Sequence, residues 1–539
     1  MKKAFFPEML QYVCQQHIFG ANAMDNFIQQ YQPHIKGTLS GWDRIVFRGV
    51  IRTLAYAHGM ATYLQRIGCL LKNFGEHAQA MTERLIVNSL LRAEQCNRPV
   101  EYIASPSLRK EDHVRAIAEA DGITDGLIAV LTCVEPCRSF EIFKNKNEKK
   151  LELVNRNRKC KFLYHYEIHP VFGFMYTRIQ TWFPFNIQIG INGREYLARQ
   201  MDKHDMAYTR SGNCFPDIEN LAKAQRLMNA MHKINWPKTL DQIRRKVHPA
   251  HESMFDGLGF NYYWSAFQTE WATDVMFDST LDLQAIYPSL VRGAIEGFDC
   301  REVMRFLGRK QLNRFPVGEV TSDYGDRYEG IRVKHVSQKN SVKAYDKAGS
   351  ILRIETTINN VTPFRSYRTL ENDPDGEAKW RSMRKGVSDM HRRAEVSQAA
   401  NDRYGEALAA IDTTRTIGDW ASELSKGFVK KGKRYRGIKL FVAEEMKLLE
   451  TVGSGDFLAS GFANGDLATR LYGHTADRDE RRRRSNRISY RLRLLRAHGL
   501  IRKTPKQNRY HVSTKGREVI TALLQLQNSN MKQLKSIPA

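Results

Sequence analysis

Along this chain the spacing of hydrophobic residues changes several times, and each change marks a boundary. Residues 1–120 carry mostly helical spacing. One exception is HIKGTLSGWDRIVFRGVIRTL, where Ile45, Phe47 and Val50 form an apolar set between glycine-bounded turns and predict a strand pair. From Gly126 to Gly193 the runs GLIAVLTCV, SFEIFK, KLELV, KFLYHYEI, FGFMYTRIQTW and NIQIGI are short and rich in β-branched and aromatic residues. They predict a mainly antiparallel sheet, with residues 144–150 as a hairpin tip. Helical spacing returns over 193–250. The block 270–359 predicts a strand, a helix, a short helix and three or four antiparallel strands, the last two joined over Asp346-Lys347-Ala348-Gly349. Residues 360–455 read as helices and a basic loop or hairpin, KGFVKKGKRYRGIKL.

The last eighty residues have the clearest order of elements. A short helix starts at Gly465-Asp466, with Leu467, Ala468 and Leu471 on one face. A polar turn leads to a second helix carrying Ile488, Leu492 and Leu495, which Gly499 stops. The strands LIRK and RYHVS follow, and a last helix begins near Thr514. Helix, turn, arginine-rich helix and two-stranded wing is the order of a winged helix-turn-helix. The segment LRLLRAHGLIRK…RYHVSTKGREV resembles the DNA-binding part of MarR-type regulators.

The expected fold class is therefore α+β. A helical N-terminal region (1–120) precedes an antiparallel-sheet α+β core (121–360), the candidate nuclease- or initiator-like part. A helical basic connector (361–455) and a C-terminal winged helix-turn-helix (456–539) follow. Several domains suit a chain of 539 residues.

Charge sharpens the picture. Between Arg478 and Arg517 fifteen Lys/Arg stand against Asp479 and Glu480, a net +13 out of the chain's formal +26. With a pI near 9.7, the expected partner is an anion, and nucleic acid is the simplest one. The residues expected to meet DNA are Arg481, Arg482, Arg483, Arg484, Arg487, Arg491 and Arg493 on the helix, and Lys503, Lys506 and Arg509 on the wing. A solvated basic face on a protein-binding winged helix is the alternative. No apolar run of transmembrane length is present, so no membrane partner is expected. The N-terminus begins like a signal peptide, but Pro7 and Glu8 interrupt its apolar stretch. Eight cysteines without disulfide-framework spacing suit a reducing, cytoplasmic setting, with nucleoid association through DNA.

Candidate chemistry is spread over the first two-thirds. Asp43 opens a strand, a place where the first metal ligand of a nuclease or transposase core can stand. Far more often such a residue caps a turn or pairs with a neighbour such as Arg44. Cys133, Cys137, Cys160 and His165 have a spacing that could hold zinc, although their apolar neighbours point to a plain core. Asp274 and Asp278 lie four apart on one predicted strand, and Glu355 lies on another. The three could converge on Mg2+ or Mn2+, the divalent cation this chemistry would use. The bland reading makes them capping or ion-paired residues beside the many arginines.

TDVMFD followed by a helix, then SVKAYDK, then ILRIETTIN, is similar to the core of rolling-circle replication initiators of plasmids and filamentous phages. Asp274, Asp278, Tyr345, Asp346, Lys347, Arg353 and Glu355 fall on matching positions over roughly ninety residues. The resemblance implies a sheet with a metal site and strand nicking by a tyrosine. The strand GIRVKHV, where that tyrosine would stand, carries Lys334 and His335 instead, and the nearest tyrosines are Tyr324 and Tyr328 on the preceding loop. Phrases such as DRIVFRG, TWFPF, EWATDVMF, RFLGRK and HRRAEVSQAANDRY also resemble a group of bacterial proteins found in mobile-element contexts.

The expected function is DNA processing for a mobile element: metal-dependent strand nicking or transfer, of the initiator or transposase kind, at a site found by the winged helix. Asp274, Asp278 and Glu355 would hold the metal. Lys347 and Arg353 would stabilise phosphate charge, and water, Tyr324 or Tyr328 would attack. The alternatives are a non-catalytic regulator or origin-binding factor, with the sheet serving homodimerisation, and an RNA-binding protein of the same element.

Overall fold

The computed structural model describes residues 24–528 except 299, 309–319, 327–329, 371–372, 374, 411–416, 431, 441, 455–456, 458–460 and 505–507. The class is mixed α+β. Two compact units share the chain, one of Met1–Tyr287 with Cys300–Gly405, the other of Pro288–Asp299 with Glu406–Ala539.

The first unit is built on one large sheet. Its strands are β1 (Ile35–Ile51), β2 (Val100–Tyr102), β3 (Gly126–Asn145), β4 (Lys150–His169), β5 (Gly173–Gln180) and β6 (Ile187–Asn192). A small separate hairpin follows, of β7 (Tyr208–Ser211) and β8 (Cys214–Ile218). The sheet then continues with β9 (Tyr262–Phe277), β10 (Val320–Gly325), β11 (Arg332–Ser337), β12 (Asn340–Lys347) and β13 (Ile351–Ile358). The strand order is β10-β11-β12-β13-β9-β1-β6-β5-β4-β3-β2, antiparallel except for β2 beside β3. Beyond it lies a short hairpin of β14 (Arg365–Arg368) and β15 (Lys379–Ser382).

Three expectations change here. The predicted strand pair around Ile45 is a single strand, β1, at the middle of the sheet between β9 and β6. Ile45 and Phe47 are fully buried in the main core, so the N-terminal residues cannot form a region apart from the sheet. Secondly, GLIAVLTCV and SFEIFK fuse into β3, and KLELV and KFLYHYEI fuse into β4. Pro136 lies inside β3 because β2 pairs only with residues 130–132, so at Pro136 the strand is an edge and needs no second donor. The third change concerns the connector. Its long helix, Met390–Ala410, lays buried polar residues on the sheet. Trp271 Nε1 donates to Gln398 Oε1 at 2.7 Å, Asn401 Nδ2 donates to the Ile354 carbonyl at 3.0 Å and Arg393 Nη2 to the Ala266 carbonyl at 2.8 Å.

In the second unit β16 (Phe428–Lys430) and β17 (Lys433–Tyr435) form a basic hairpin. Helices Ala443–Val452, Asn464–Tyr472, Arg478–Ala497 and Thr514–Asn528 surround a three-stranded sheet of order β18 (Phe462–Ala463), β20 (Arg509–Val512), β19 (Ile501–Lys503). Leu467, Ile488, Leu492 and Leu495, the residues with helical spacing, share one core with Ile501 and Val512. Gly499 leaves the basic helix at φ 77°, a left-handed conformation that suits glycine at this position.

The junction of β6 with the helix Gly193–Lys203 packs directly against the backbone of β1 beside Asp43. Asn192 Oδ1 caps that helix, accepting from the Arg194 and Glu195 amides at 2.8 and 3.1 Å. A Cβ on Gly193 would stand 1.9 Å from the Trp42 carbonyl oxygen. Gly193→Ala therefore must push β1 away one residue before Asp43. The expected result is a loss of about 1–3 kcal/mol in denaturant unfolding; a variant as stable as the parent would show that this contact relaxes freely.

Candidate metal centre and basic helix

Direct pairing settles which side chains share a face of the sheet. Glu355 pairs with Ala272 on β9 and Lys343 on β12, and Lys343 pairs with Lys334 on β11. Glu270 pairs with Arg44 of β1. Between Trp42 and Arg44 the register slips, and Asp43 is the extra residue. A bulge of this kind re-aims a side chain, and here it turns Asp43 onto the face of Glu270 and Glu355. One carboxylate oxygen from each of Asp43, Glu270 and Glu355 lies within 4.8 Å of the other two.

Each carboxylate has different company. Glu355 is 1% exposed; Lys343 Nζ stands 2.7 Å from Oε1, and the Tyr345 hydroxyl donates to Oε2 at 2.7 Å. Asp43 accepts from Asn213 Nδ2 at 2.9 and 3.1 Å and lies 3.3 Å from Arg353 Nη1. Glu270 accepts one amide hydrogen bond, from Gln268 at 2.8 Å, and among the described residues no cation pairs with it within 4 Å. Burial first, and then the Glu355 charge, push the Glu270 carboxyl up to about 7. The centre is thus short of positive charge on its Glu270 side. Three carboxylates are the donor set that Mg2+ or Mn2+ prefers.

The expected metal set is not the one assembled. Asp274 shares this face, but its carboxylate is filled by arginines: Arg353 Nε and Nη2 donate at 2.6 and 2.9 Å, and Arg194 Nη2 stands at 3.0 Å. These guanidiniums hold Asp274 below the usual carboxylate range despite burial, which acts the other way. Asp278 is an exposed residue past the end of β9, where its amide donates to the His34 carbonyl. Of the three expected ligands only Glu355 belongs to the cluster. Asp43 stands out in the sequence only as a carboxylate opening a strand, and Glu270 carries no signal beyond its parity with Asp274 on one strand.

The expected catalytic residues are also redistributed. Arg353 is wholly buried and bridges Asp274 to Asp43, so it organises carboxylates and is not open to a phosphate. Lys347 shares the Lys343–Tyr345 face of β12, its Nζ 5.9 Å from the Tyr345 ring. Tyr324 pairs with Val333, which pairs with Ala344, which pairs with Ile354. That row faces away from Glu355, three strands distant, so Tyr324 does not reach the cluster. Tyr328 lies outside the described residues. The tyrosine that touches the cluster is Tyr345, which is buried. His335 faces the helix Met390–Ala410, 3.3 Å from the Tyr404 hydroxyl.

The four sulfur and nitrogen candidates for zinc do not converge. His165 is buried against Ser89 and Arg92, on the opposite face of β4 from Cys160 once their odd spacing is counted. The Cys133 thiol donates to Glu135.

In the second unit the basic helix divides its arginines. Arg481, Arg482, Arg483, Arg487 and Arg493 are exposed. Arg484 pairs with Glu480 at 2.9 Å and donates to the Tyr472 carbonyl, which ties the helix to the preceding turn. Arg491, expected to face DNA, is 7% exposed and pairs with Glu444, so it belongs to the packing of the unit. On the strands, Lys503 is exposed, Arg509 donates to the Gly461 carbonyl at 3.1 Å, and Lys506 lies outside the described residues.

A raised carboxyl gives a definite sign. Glu270 holds its proton to about pH 7 in the folded chain and releases it near 4.5 when unfolded. Its contribution therefore favours folding at low pH and is lost as pH rises from about 4.5 to 7. Glu270→Gln should raise the melting temperature at pH 8 and abolish Mn2+ binding. Wild-type Mn2+ affinity, measured by calorimetry, should climb up to tenfold per pH unit below about 7 and then level. An affinity independent of pH from 5.5 to 8, or a Gln variant that binds as before, would remove Glu270 from the ligand set. No protein-family model, curated protein or solved structure matches this chain, so its chemistry rests on these residues alone.

Proposed function

We propose that the chain is a DNA-processing protein of a mobile element, cutting or transferring a strand with a divalent cation held by Asp43, Glu270 and Glu355. One observation carries the reading. Three carboxylates meet on adjacent strands of one sheet face, and among the described residues no cation pairs with the central one within 4 Å, although Arg44 stands across from it on β1. A cation bound there would stabilise charge on a phosphate and lower the pKa of a water. The protein's own groups supply the rest. Lys343 and Lys334 lie side by side next to Glu355 and can hold a phosphodiester. Arg353 keeps Asp43 in position. Tyr345 orients Glu355 through its hydroxyl. With Tyr324 on the other face, water is the attacking group this arrangement supports.

The resemblance to rolling-circle initiators agrees with the reading at Glu355, Tyr345 and the β12–β13 hairpin. It differs in the partners that Glu355 finds. The C-terminal elements support a winged helix-turn-helix that brings the protein to its DNA. Helix Asn464–Tyr472, the basic helix and the strands β19 and β20 follow the required order, and Arg481, Arg482, Arg483, Arg487, Arg493 and Lys503 are among the exposed cations on them, with Arg470, Arg478 and Arg496. No described helix is long and apolar enough to cross a membrane.

The second reading is a non-catalytic DNA-binding protein. The Lys343–Glu355 and Arg353–Asp43 pairs favour it, because they neutralise two of the three carboxylates without a metal.

Supercoiled DNA carrying the element's own flanks should be nicked by the full chain with Mn2+, and not with EDTA or by Glu270→Gln. No covalent protein–DNA adduct is expected. An adduct would hand the attack to a tyrosine, with Tyr345 and Tyr328 the variants to test. Absence of nicking under conditions of specific binding would leave the second reading. For the address function, Arg487→Ala should weaken duplex binding and reduce its salt dependence by about one charge. Arg491→Ala should instead lower the melting temperature. Equal binding by the Arg487 variant and the parent would place the DNA surface elsewhere.

A further inference from the structure

The face that carries the carboxylates continues across β1, β6, β5 and β4, and its residues there are unusual for a sheet surface. Arg48 pairs with Gln188, Gln188 with Arg178, and Arg178 with Tyr164, so these side chains form a row across four strands. The register slips between Val46 and Phe47, and Phe267 is the extra residue on β9. This second bulge turns the Phe267 ring outward, 54% exposed. Arg48, Arg138, Phe162, Arg178, Gln188 and Phe267 line a groove of about 400 Å³ whose walls hold no carboxylate. Arg178 lies flat on the Phe162 ring, 3.8 Å from its centroid, with Glu135 held at its far side.

The groove is continuous with the carboxylates. Phe267 and Glu270 are three residues apart on β9, about 10 Å along a strand. Gln268 lies between them and donates to Glu270. Arg44 is exposed beside Glu270, and Arg48, four residues on along β1, lies on the same face at the groove.

We infer that this groove binds single-stranded DNA, the segment adjoining the phosphate at the carboxylate cluster, with a base stacked on Phe267 and phosphates on Arg48 and Arg178. The inference deepens the strand-processing reading and rests on it for the position of that phosphate. An exposed aromatic ring among guanidiniums and side-chain amides offers stacking and phosphate contacts together. A duplex has its bases stacked already and could use only the cations. An apolar protein partner would meet the ring but not the charges of Arg48 and Arg138, which pair with no carboxylate among the described residues, whereas a polynucleotide meets both; Arg178 already has Glu135.

The test is fluorescence anisotropy with labelled oligothymidylate of about twelve nucleotides. The full chain is used in EDTA, in an Arg487→Ala background that lowers the contribution of the second unit. Phe267→Ala should weaken binding about 5- to 100-fold, as loss of one stacked base does, and Phe267→Trp should restore it. Arg48→Ala should weaken binding and reduce the salt slope by about one. Binding within about twofold of the parent for both Phe267→Ala and Arg48→Ala would overturn the inference. Tighter binding of an oligoribonucleotide with the same dependence on Phe267 would also overturn it, in favour of RNA. The two readings fail separately. If Mn2+-dependent nicking is seen and Phe267→Ala binds normally, the groove is wrong and the nicking stands. If Phe267→Ala loses binding and the wild type never nicks, the groove stands and the nicking reading falls.

Discussion

The guanidinium of Arg353 is the interaction on which the first unit's chemistry depends. It is wholly buried on β13, grips Asp274 of β9 through two nitrogens, reaches Asp43 of β1, and donates to the Asn213 carbonyl in the β7–β8 turn. A buried cation of this kind is tolerable only when its donors are met by carboxylates and carbonyls. Meeting them draws three strands and a hairpin to one point. Arg194 adds a second charge from a helix whose start is set by the Asn192 cap. Such networks add less to stability than to uniqueness of arrangement. Here the arrangement holds Asp43 beside Glu355.

With Asp274 satisfied by two arginines and Glu355 by Lys343, the remaining imbalance falls on Glu270. Its carboxyl is driven up to about 7 by burial and by its like-charged neighbours. A carboxylate kept in an unfavourable place is a cost to folding that a bound cation can offset. Two of the three register shifts in the β1–β9 ladder fall on the same face. One aims Asp43 into the cluster and the other aims Phe267 out of the sheet.

Much of the fold was legible in local pattern. The order of elements from 262 to 358 and from 462 to 528 follows the hydrophobic spacing, with the β12–β13 turn where Asp346-Lys347-Ala348-Gly349 placed it. Strands β10 to β13 pair with near neighbours in sequence, so turn residues and period suffice there, whereas β13 finds β9 across the intervening helices. Long-range pairing was not legible in the same way. Nothing near Ile45 announces that β1 pairs with a strand more than two hundred residues later, and it is that pairing which makes the N-terminal residues part of the sheet.

The site divides along the same line. The sequence by itself determined the basic charge, the carboxylates available, the Tyr-Asp-Lys and Arg-x-Glu strands, and the arginine-rich helix near the C-terminus. Which carboxylates meet was decided by tertiary structure alone. Asp274 and Glu270 share one strand face and look equivalent in sequence, but on β13 Arg353 stands opposite Asp274 and Thr357 opposite Glu270, while Arg44, across from Glu270 on β1, forms no ion pair with it among the described residues. Asp43 joins because a one-residue bulge turns it, and Arg491 leaves the basic face because Glu444 and the core hold it. Charge is a property of residues, which a sequence displays. A ligand set is a property of register and burial, which arise only when distant strands pair.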